Sequence, residues 1–167
     1  MQLAIDPPMV NERPEEIRYK RSRFSTRLPT DRLYTAAHFW MREDETESGI
    51  WRVGLTKFAT RMLGDLVEHG FEVRPGDTVN VGQTIGWVEG FKAISELYSV
   101  MTGEFLGGNP ALEQDVTLMD TRPYGEGWLY RVRGEPDRES LPVEGYVPSR
   151  RHHRSDAETE RWRRGRG

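Results

Sequence analysis

The chain has 167 residues, with 35% hydrophobic residues, 31% charged residues and a formal net charge of −3 at pH 7. This length suits one domain with tails, and the net charge gives no general attraction to nucleic acid or to anionic membranes. The absence of cysteine excludes disulfides and protein thiolates, and without a membrane-spanning run or a secretory signal we expect a cytoplasmic location.

The two ends of the chain differ in composition from its middle. Residues 1–30 are rich in Pro, Arg and Glu and lack an apolar period, which predicts a flexible arm. Residues 135–167 are interpreted as an extension with a disordered, Arg-rich tail, whose interleaved acids favour a solvated segment over an anion-binding one. His152 and His153 lack further ligands at a suitable spacing, so no metal site is predicted. The folded domain is then expected over residues 31–134.

The middle of the chain opens with two strand signals and one helix signal. The segments "YTAAHFWM" and "GIWRVGL" are rich in aromatic and β-branched residues and flank the polar turn "REDETESG". Behind Thr56, a suitable N-cap, apolar residues recur at helical spacing as far as Leu66, with Gly70 as a stop. We therefore predict two strands followed by one short amphipathic helix.

The rest of the domain alternates short strand signals with Gly and Pro turns. This pattern predicts a mainly β fold, a β-sandwich or flattened barrel with one or two short helices. The sequences on either side of Lys92 are weakly similar, which suggests one hairpin-bearing unit used twice. The segments that carry these turns are "RPGDTVNVGQTIGWVEGFKA", "ISELYSVMTGEFLGGNPAL" and "RPYGEGWLYRVRG".

Lys92 falls at the tip of one predicted hairpin. Strand patterns over residues 84–89 and 94–100 flank the apex Glu89-Gly90-Phe91-Lys92. Gly90 is expected to supply the positive φ that a tight hairpin often needs. Such a tip would present the Lys92 amine to solvent on a stiff support, as a modifying enzyme requires.

Other chemistry is poorly supported. His38 lies in an aromatic segment and is interpreted as a packed or capping histidine rather than a general base. Glu126 belongs to the turn "PYGEGW" and is not predicted to be catalytic. We find no Ser-His-Asp arrangement, phosphate loop, metal motif or basic nucleic-acid face.

The region from Leu33 to Arg133 resembles a known family, the lipoyl-carrying H protein of the glycine cleavage system and its H-like relatives. The resemblance implies a lipoyl-domain-like fold and a non-catalytic carrier function. It extends over roughly a hundred residues in matching order. The motifs that carry it are "YTAAHFW", "VGLTKFATRMLGDLV", "GDTVNVGQTIGWVEGFKA", "SVMTGEFLGGNPAL" and "PYGEGWLYRV".

The resemblance assigns covalent lipoate, as the cofactor, to Lys92. Glu89, three residues earlier, matches the acid that lipoate-attaching enzymes read. Biotin carriers usually flank their lysine with methionines, so Phe91 and Ala93 favour lipoate. The residues expected to contribute to recognition and to the cleft for the arm are Glu89, Gly90, Phe91, Ala93 and Glu96.

The sequence also departs from the family pattern. Where the family has His-Glu-Trp, this chain has His38-Phe39-Trp40, and the family's glutamate pairs with the amine of the aminomethyl-loaded arm in the cleft. Phe39 cannot make that contact. The tip reads Glu-Gly-Phe-Lys rather than Glu-Ser-Val-Lys, and prolines at 136, 142 and 148 argue against the family's C-terminal helix.

These departures favour one subgroup. The Gly-Phe-Lys-Ala tip resembles lipoate-binding proteins that serve cytoplasmic sulfur oxidation, whose partners are a lipoate-attaching enzyme and a heterodisulfide-reductase-like complex. A true glycine-cleavage carrier is the first alternative, with glycine decarboxylase, aminomethyltransferase and dihydrolipoamide dehydrogenase as partners. An unlipoylated scaffold, or a protein that relays lipoate to others, is the second.

Overall fold

The computed structural model describes residues 15–21 and 24–146, and these residues confirm the mainly β fold class. No helix within the described residues is long and apolar enough to cross a bilayer. The helices are α1 (Lys57–Leu63), α2 (Ala111–Gln114) and α3 (Leu118–Thr121). The strands are β1 (Glu16–Arg21), β2 (Phe24–Pro29), β3 (Leu33–Tyr34), β4 (Phe39–Glu43), β5 (Ile50–Leu55), β6 (Leu66–Phe71), β7 (Thr78–Val79), β8 (Thr84–Gly90), β9 (Ile94–Tyr98), β10 (Gly103–Gly108) and β11 (Tyr130–Gly134).

Two sheets enclose the main core. One has six strands in the order β3-β4-β5-β11-β10-β7, and the other has three in the order β6-β8-β9. Val53 and Phe105 of the larger sheet share one buried cluster with Ile85, Val88 and Leu97 of the smaller sheet. The core therefore lies between the two sheets, as in a flattened sandwich.

The segment "YTAAHFWM" is not one strand, in contrast to the prediction. β3 ends at Tyr34 and β4 begins at Phe39, and the intervening turn is closed by hydrogen bonds from Thr35 N to Phe39 O (2.9 Å) and from His38 N to Thr35 O (3.0 Å). His38 has a φ of +74°, in the left-handed region that reverses the chain direction. The strand propensity of the segment is overridden by this turn.

The predicted helix is shorter than its apolar period suggested. α1 ends at Leu63 because Gly64 adopts φ +79° and ψ −164°, a conformation open almost solely to glycine. The Gly64 N–H still donates to Thr60 O, at 3.0 Å, and closes the last turn. Leu66, which we assigned to the helix, instead begins β6.

Part of the segment predicted as a flexible N-terminal arm forms a hairpin instead. β1 and β2 pair antiparallel, with Ile17 opposite Leu28. Leu28 is completely buried, and Thr26 is also buried, so one face of the hairpin packs on the domain. Pairing satisfies the backbone groups that the two strands turn towards each other, which makes this burial favourable. Residues 1–14 lie outside the described part of the chain.

The segment after β11, predicted as an extension, folds back onto the domain. Leu141 and Tyr34 exchange two backbone hydrogen bonds of 2.7 Å each. A single helical turn over residues 143–146 follows Pro142, which is compatible with the start of a helix. Within the described residues this helix amounts to one turn. Residues 147–167, including His152 and His153, lie outside the described part.

Tyr146 fixes this segment in place. Its ring stacks on Tyr34 with centroids 4.9 Å apart, and only 1% of the residue is exposed. Its hydroxyl lies 2.8 Å from His38 Nδ1 and 3.2 Å from Thr56 Oγ1. Thr56 occupies the predicted N-cap position, but its hydroxyl makes no capping bond to α1. His38 is a packed histidine, as predicted, and here it joins the turn before β4 to the end of the described chain.

Candidate functional site: the tip of the β8–β9 hairpin and its groove

Lys92 lies at the tip of the hairpin formed by β8 and β9. Glu89 pairs with Ile94 as the last cross-strand pair, and Gly90 N donates to Ala93 O at 2.9 Å to close the turn. The side chain of Lys92 is exposed, as are its neighbours on both sides. The alternation of side chains in the sequence therefore predicts correctly that Lys92 lies in the turn between these two strands.

The tip is braced by the C-terminal end of α1. Lys92 N donates to Leu63 O and Phe91 N donates to Asp65 O, each at 2.8 Å. The ammonium nitrogen Nζ of Lys92 lies 3.4 Å from Arg61 O. The last carbonyls of a helix lack partners within the helix, so the bonds to Leu63 O and Arg61 O satisfy groups of α1 that would otherwise need water. The backbone at Phe91 and Lys92 is therefore fixed.

Two glycines permit this close approach, and one does so differently from the prediction. Gly90 does not have a positive φ. A Cβ at this position would lie 2.3 Å from Leu63 O, so glycine is required because it has no side chain to clash with α1. Gly64 is the residue with a positive φ, and a Cβ there would lie 2.8 Å from Lys92 Cγ. The sequence did not reveal these contacts because each joins residues more than twenty positions apart.

A groove of about 240 Å³ runs beside the hairpin and is bordered by α1 and β4. Most of its lining is apolar, and among the described residues that line it Glu96 alone is charged. Predicted site residues Phe39, Ala93 and Glu96 thus come together, but the contributions of α1 and β5 were not predicted. The lining residues are Ala37, Phe39, Leu55, Ala59, Met62, Leu63, Val88, Ala93, Ser95, Glu96 and Tyr98.

Glu96 is oriented by its neighbours. Its Oε1 accepts a hydrogen bond from the Tyr98 hydroxyl at 3.0 Å and one from Thr84 Oγ1 at 3.3 Å. The hydrogen bond to the Glu96 carboxylate, and then the charge of that carboxylate, raises the pKa of Tyr98 above its ordinary value. The groove consequently has a carboxylate that two hydroxyl groups hold in place.

Phe39 forms part of the groove wall and is 4% exposed. Because side chains alternate along β4, Phe39 belongs to the main core, whereas Trp40 belongs to the second cluster on the opposite face. Trp40 is held there by a 2.9 Å hydrogen bond from Nε1 to Pro123 O and by the Arg32 guanidinium 4.6 Å above its ring. The wall at position 39 is therefore apolar and firmly placed.

Comparison with known proteins supports one family. The family model for the glycine cleavage H-protein matches residues 32–144. The glycine cleavage system H protein of Corynebacterium jeikeium is 40% identical over 124 residues, which cover 72% of this chain and 95% of that protein. That of a Psychrobacter species is 41% identical over 118 residues, covering 68% and 90%.

The chain belongs to the glycine cleavage H-protein family.

A solved member of this H-protein family agrees in structure. The crystal structure of a glycine cleavage system H protein from Mycobacterium marinum superposes with a TM-score of 0.66 at 35% identity, covering 74% of this chain and 98% of that one. The β1–β2 hairpin precedes the region matched by the H-protein family model.

The relatives correct one expectation. They are named glycine cleavage system H proteins, so they support the alternative of a true glycine-cleavage carrier over our preferred assignment to sulfur oxidation with a heterodisulfide-reductase-like complex. That preference depended on Phe39 and on the Gly90-Phe91 tip. Both are local substitutions on an H-protein framework, and they do not outweigh 40% identity across the domain.

Proposed function

We propose that this protein is the lipoyl carrier of a glycine cleavage system and that lipoate is attached through an amide bond to Nζ of Lys92. Membership in the glycine cleavage H-protein family supports a carrier that has covalently attached lipoate and is not itself catalytic. The observation on which the assignment to Lys92 depends is its position: an exposed amine at a braced hairpin tip, next to an apolar groove.

The groove fits an arm of lipoyl length. The lysine side chain and lipoyl group together extend about 14 Å, at about 1.2 Å per bond over roughly a dozen bonds. From Ala93 to Tyr98 the groove follows β9 for about five residue steps, or about 16 Å at roughly 3.3 Å per step. An arm lying along β9 would therefore end near the carboxylate of Glu96.

The residues of this chain position the arm rather than react. A lipoyl group held by Lys92 would supply the thiol chemistry that a chain without cysteine lacks. Apolar groove residues such as Phe39 and Met62 would pack against the hydrocarbon part of the arm, and Glu96 would offer a negative charge to a cationic cargo. Amide formation removes the charge of Lys92, which favours contact with this apolar lining.

The partners follow from this role. We propose that a lipoate-attaching enzyme recognises Glu89 beside Lys92, and that the loaded carrier serves glycine decarboxylase, aminomethyltransferase and dihydrolipoamide dehydrogenase. Tethering the reactive group raises its effective concentration at each enzyme to the order of millimolar. The braced tip lowers the entropy that is lost when the hairpin docks.

Mass spectrometry and an exchange assay test the proposal together. The chain has three lysines, Lys20, Lys57 and Lys92, so Lys→Arg variants at each position cover every ε-amine. Lys57 Nζ is engaged by Asp120 at 2.8 Å and serves as a matched control. We expect one lipoyl-amide increment in the wild type, K20R and K57R and none in K92R.

The wild-type lipoylated protein should then support bicarbonate exchange by glycine decarboxylase, and K92R should not. Unmodified wild-type protein from lipoate-replete cells would favour the scaffold alternative. Modified protein that is inactive in exchange would contradict the glycine-cleavage role.

A further inference from the structure

The groove beside the hairpin adjoins a larger cavity of about 390 Å³. The two spaces share Ala37, Phe39 and Tyr98, whereas residues 81–82 and 137–140 line the second space only. We call this second space the side cavity. An arm of about 14 Å that follows β9 as far as Tyr98 does not extend into it, so the proposed function gives the side cavity no role.

The side cavity combines exposed apolar surface with negative charge. Val81 is 42% exposed and Tyr98 is 37% exposed, and both line the cavity. Asp137 and Glu139 also line it, and neither carboxylate has an ion-pair partner among the described residues. Asp137 Oδ2 accepts a hydrogen bond from Glu139 N at 3.1 Å, which orients the first carboxylate. Such a surface fits a ligand in which cations flank an apolar group.

Charge distinguishes the folded domain from the C-terminal tail. With His neutral, residues 31–146 contain 20 acidic and 11 basic residues, a net charge of −9, and residues 147–167 contain seven arginines and three acids, a net charge of +4. The interleaved acids favour a solvated tail when the tail is considered alone, but a strongly negative domain attracts it. The tail also lies beyond residues 32–144, which the family model matches, so the shared carrier fold does not account for it.

The tail begins beside the side cavity. The described chain ends at Tyr146, whose hydroxyl lies 2.8 Å from His38 Nδ1, and His38 follows Ala37 of the cavity wall. Trp162, the one Trp, Tyr or Phe of the tail, is 16 residues further along the chain. A flexible chain of this length spans about 20–24 Å on average, which is enough to reach the cavity. Tethering gives the tail an effective concentration there on the order of millimolar.

We propose that residues 147–167 dock in the side cavity of their own domain. The indole of Trp162 packs on the apolar wall at Val81, and the arginines next to it in the sequence face Asp137 and Glu139. Trp and Arg are the side chains that contribute most often to the centre of protein interfaces. The docking residues of the tail are Arg161, Trp162, Arg163 and Arg164.

A docked tail closes one end of the groove, because Ala37, Phe39 and Tyr98 border both spaces. An arm that fills the groove as far as Tyr98 therefore displaces the tail. The tail in turn covers this apolar lining while the arm is elsewhere. The displacement, unlike the docking itself, rests on the proposed function.

Paramagnetic relaxation enhancement measures the docking on the full, unlipoylated chain. The chain has no cysteine, so S155C accepts a single nitroxide through a thioether, outside the four docking residues. We expect the label to broaden the amide resonances of Val81, Gly82 and Val100 selectively, and reduction of the nitroxide to restore them. W162S should remove most of this broadening, and so should about 0.5 M salt, because salt screens exposed charges.

Two double variants with the same change in net charge distinguish the side cavity from the domain as a whole. D137N/E139Q neutralises the cavity wall, and E72Q/E113Q neutralises two exposed glutamates that line neither the cavity nor the groove. Broadening should be lost in the first and retained in the second. Broadening that is absent from S155C itself, that extends over the whole domain, or that both double variants reduce equally would overturn the proposal.

A mixed sample tests whether the tail of another copy is the occupant. Isotope-labelled chain without a nitroxide is combined with unlabelled, nitroxide-bearing S155C. We expect no broadening of the side-cavity resonances in this mixture. If they broaden as strongly as in the single-chain experiment, the tail docks on a second copy and the assignment to its own domain is wrong.

Lipoylated S155C tests the displacement. Its side-cavity resonances should be broadened less than those of the unlipoylated chain, and equal broadening would contradict competition between tail and arm. A chain that accepts no lipoate at Lys92 would instead refute the proposed function. The docking measured on the unlipoylated chain would be unaffected by that result, so the two failures are distinguishable.

Discussion

Replacing Gly64 by alanine should destabilise the protein by about 2–4 kcal/mol, the sum of backbone strain and a weakened hydrogen bond. Gly64 has φ +79° and ψ −164°, a region in which a residue with a Cβ is strained by about 1–3 kcal/mol. The new Cβ would also lie 2.8 Å from Lys92 Cγ and 3.2 Å from Lys92 N. Displacing Lys92 weakens its backbone bond to Leu63 O, which adds about 1 kcal/mol.

Urea unfolding followed by tryptophan fluorescence measures this loss. The matched control is G125A, because Gly125 has no positive φ and no heavy atom lies within 4 Å of the position that its Cβ would occupy. The expected change for this control is within about 0.5 kcal/mol. The G64A protein should also be lipoylated more slowly, since its tip is displaced. A G64A variant as stable as G125A would refute the conclusion that α1 braces the tip.

Three further predictions concern two residues of the groove wall, Phe39 and Tyr98, and the half-buried Tyr124. Phe39→Ala should lower the free energy of unfolding by about 3–5 kcal/mol, whereas the same change at the exposed Phe91 should cost less than about 0.5 kcal/mol; equal losses in urea titrations would contradict the burial assigned here. Burial raises the pKa of the Tyr124 hydroxyl to about 12. The contribution of Tyr124 to the free energy of unfolding is therefore complete below pH 10 and declines as the pH rises from 10 towards 12. Between these pH values the urea midpoint of Tyr124→Phe should fall less steeply than that of the wild type. Glu96→Gln should lower the pKa of Tyr98, and a spectrophotometric titration in which this pKa did not move would disprove the hydrogen bond.

The hairpin with Lys92 could be predicted because its information is local. Alternating side chains over β8 and β9 and a short apex containing glycine are sufficient to locate the turn. Family resemblance added the likeness of Lys92 to the lipoyl lysine and placed Phe39 and Glu96 in one groove, where the structure also has them. The preference for the sulfur-oxidation subgroup depended on a few substitutions, and the relatives support the glycine-cleavage alternative better.

The features that were missed depend on contacts between distant residues. The role of Gly90 is set by Leu63 O on α1, and no local pattern reports such an approach. The prediction of one strand over residues 34–41 was wrong because His38 has a positive φ, although its neighbours are typical strand residues. The β1–β2 hairpin was hidden by its polar composition: its cross-strand pair Arg18 and Arg27 is exposed.

Peptide-level mass spectrometry of the protein isolated from its own lipoate-replete cells tests the central claim most directly. Fragment ions should locate a single lipoyl amide on the peptide that contains Phe91 and Lys92, with Lys20 and Lys57 unmodified. A bare Lys92 in cells whose other lipoyl proteins are fully modified would contradict the account.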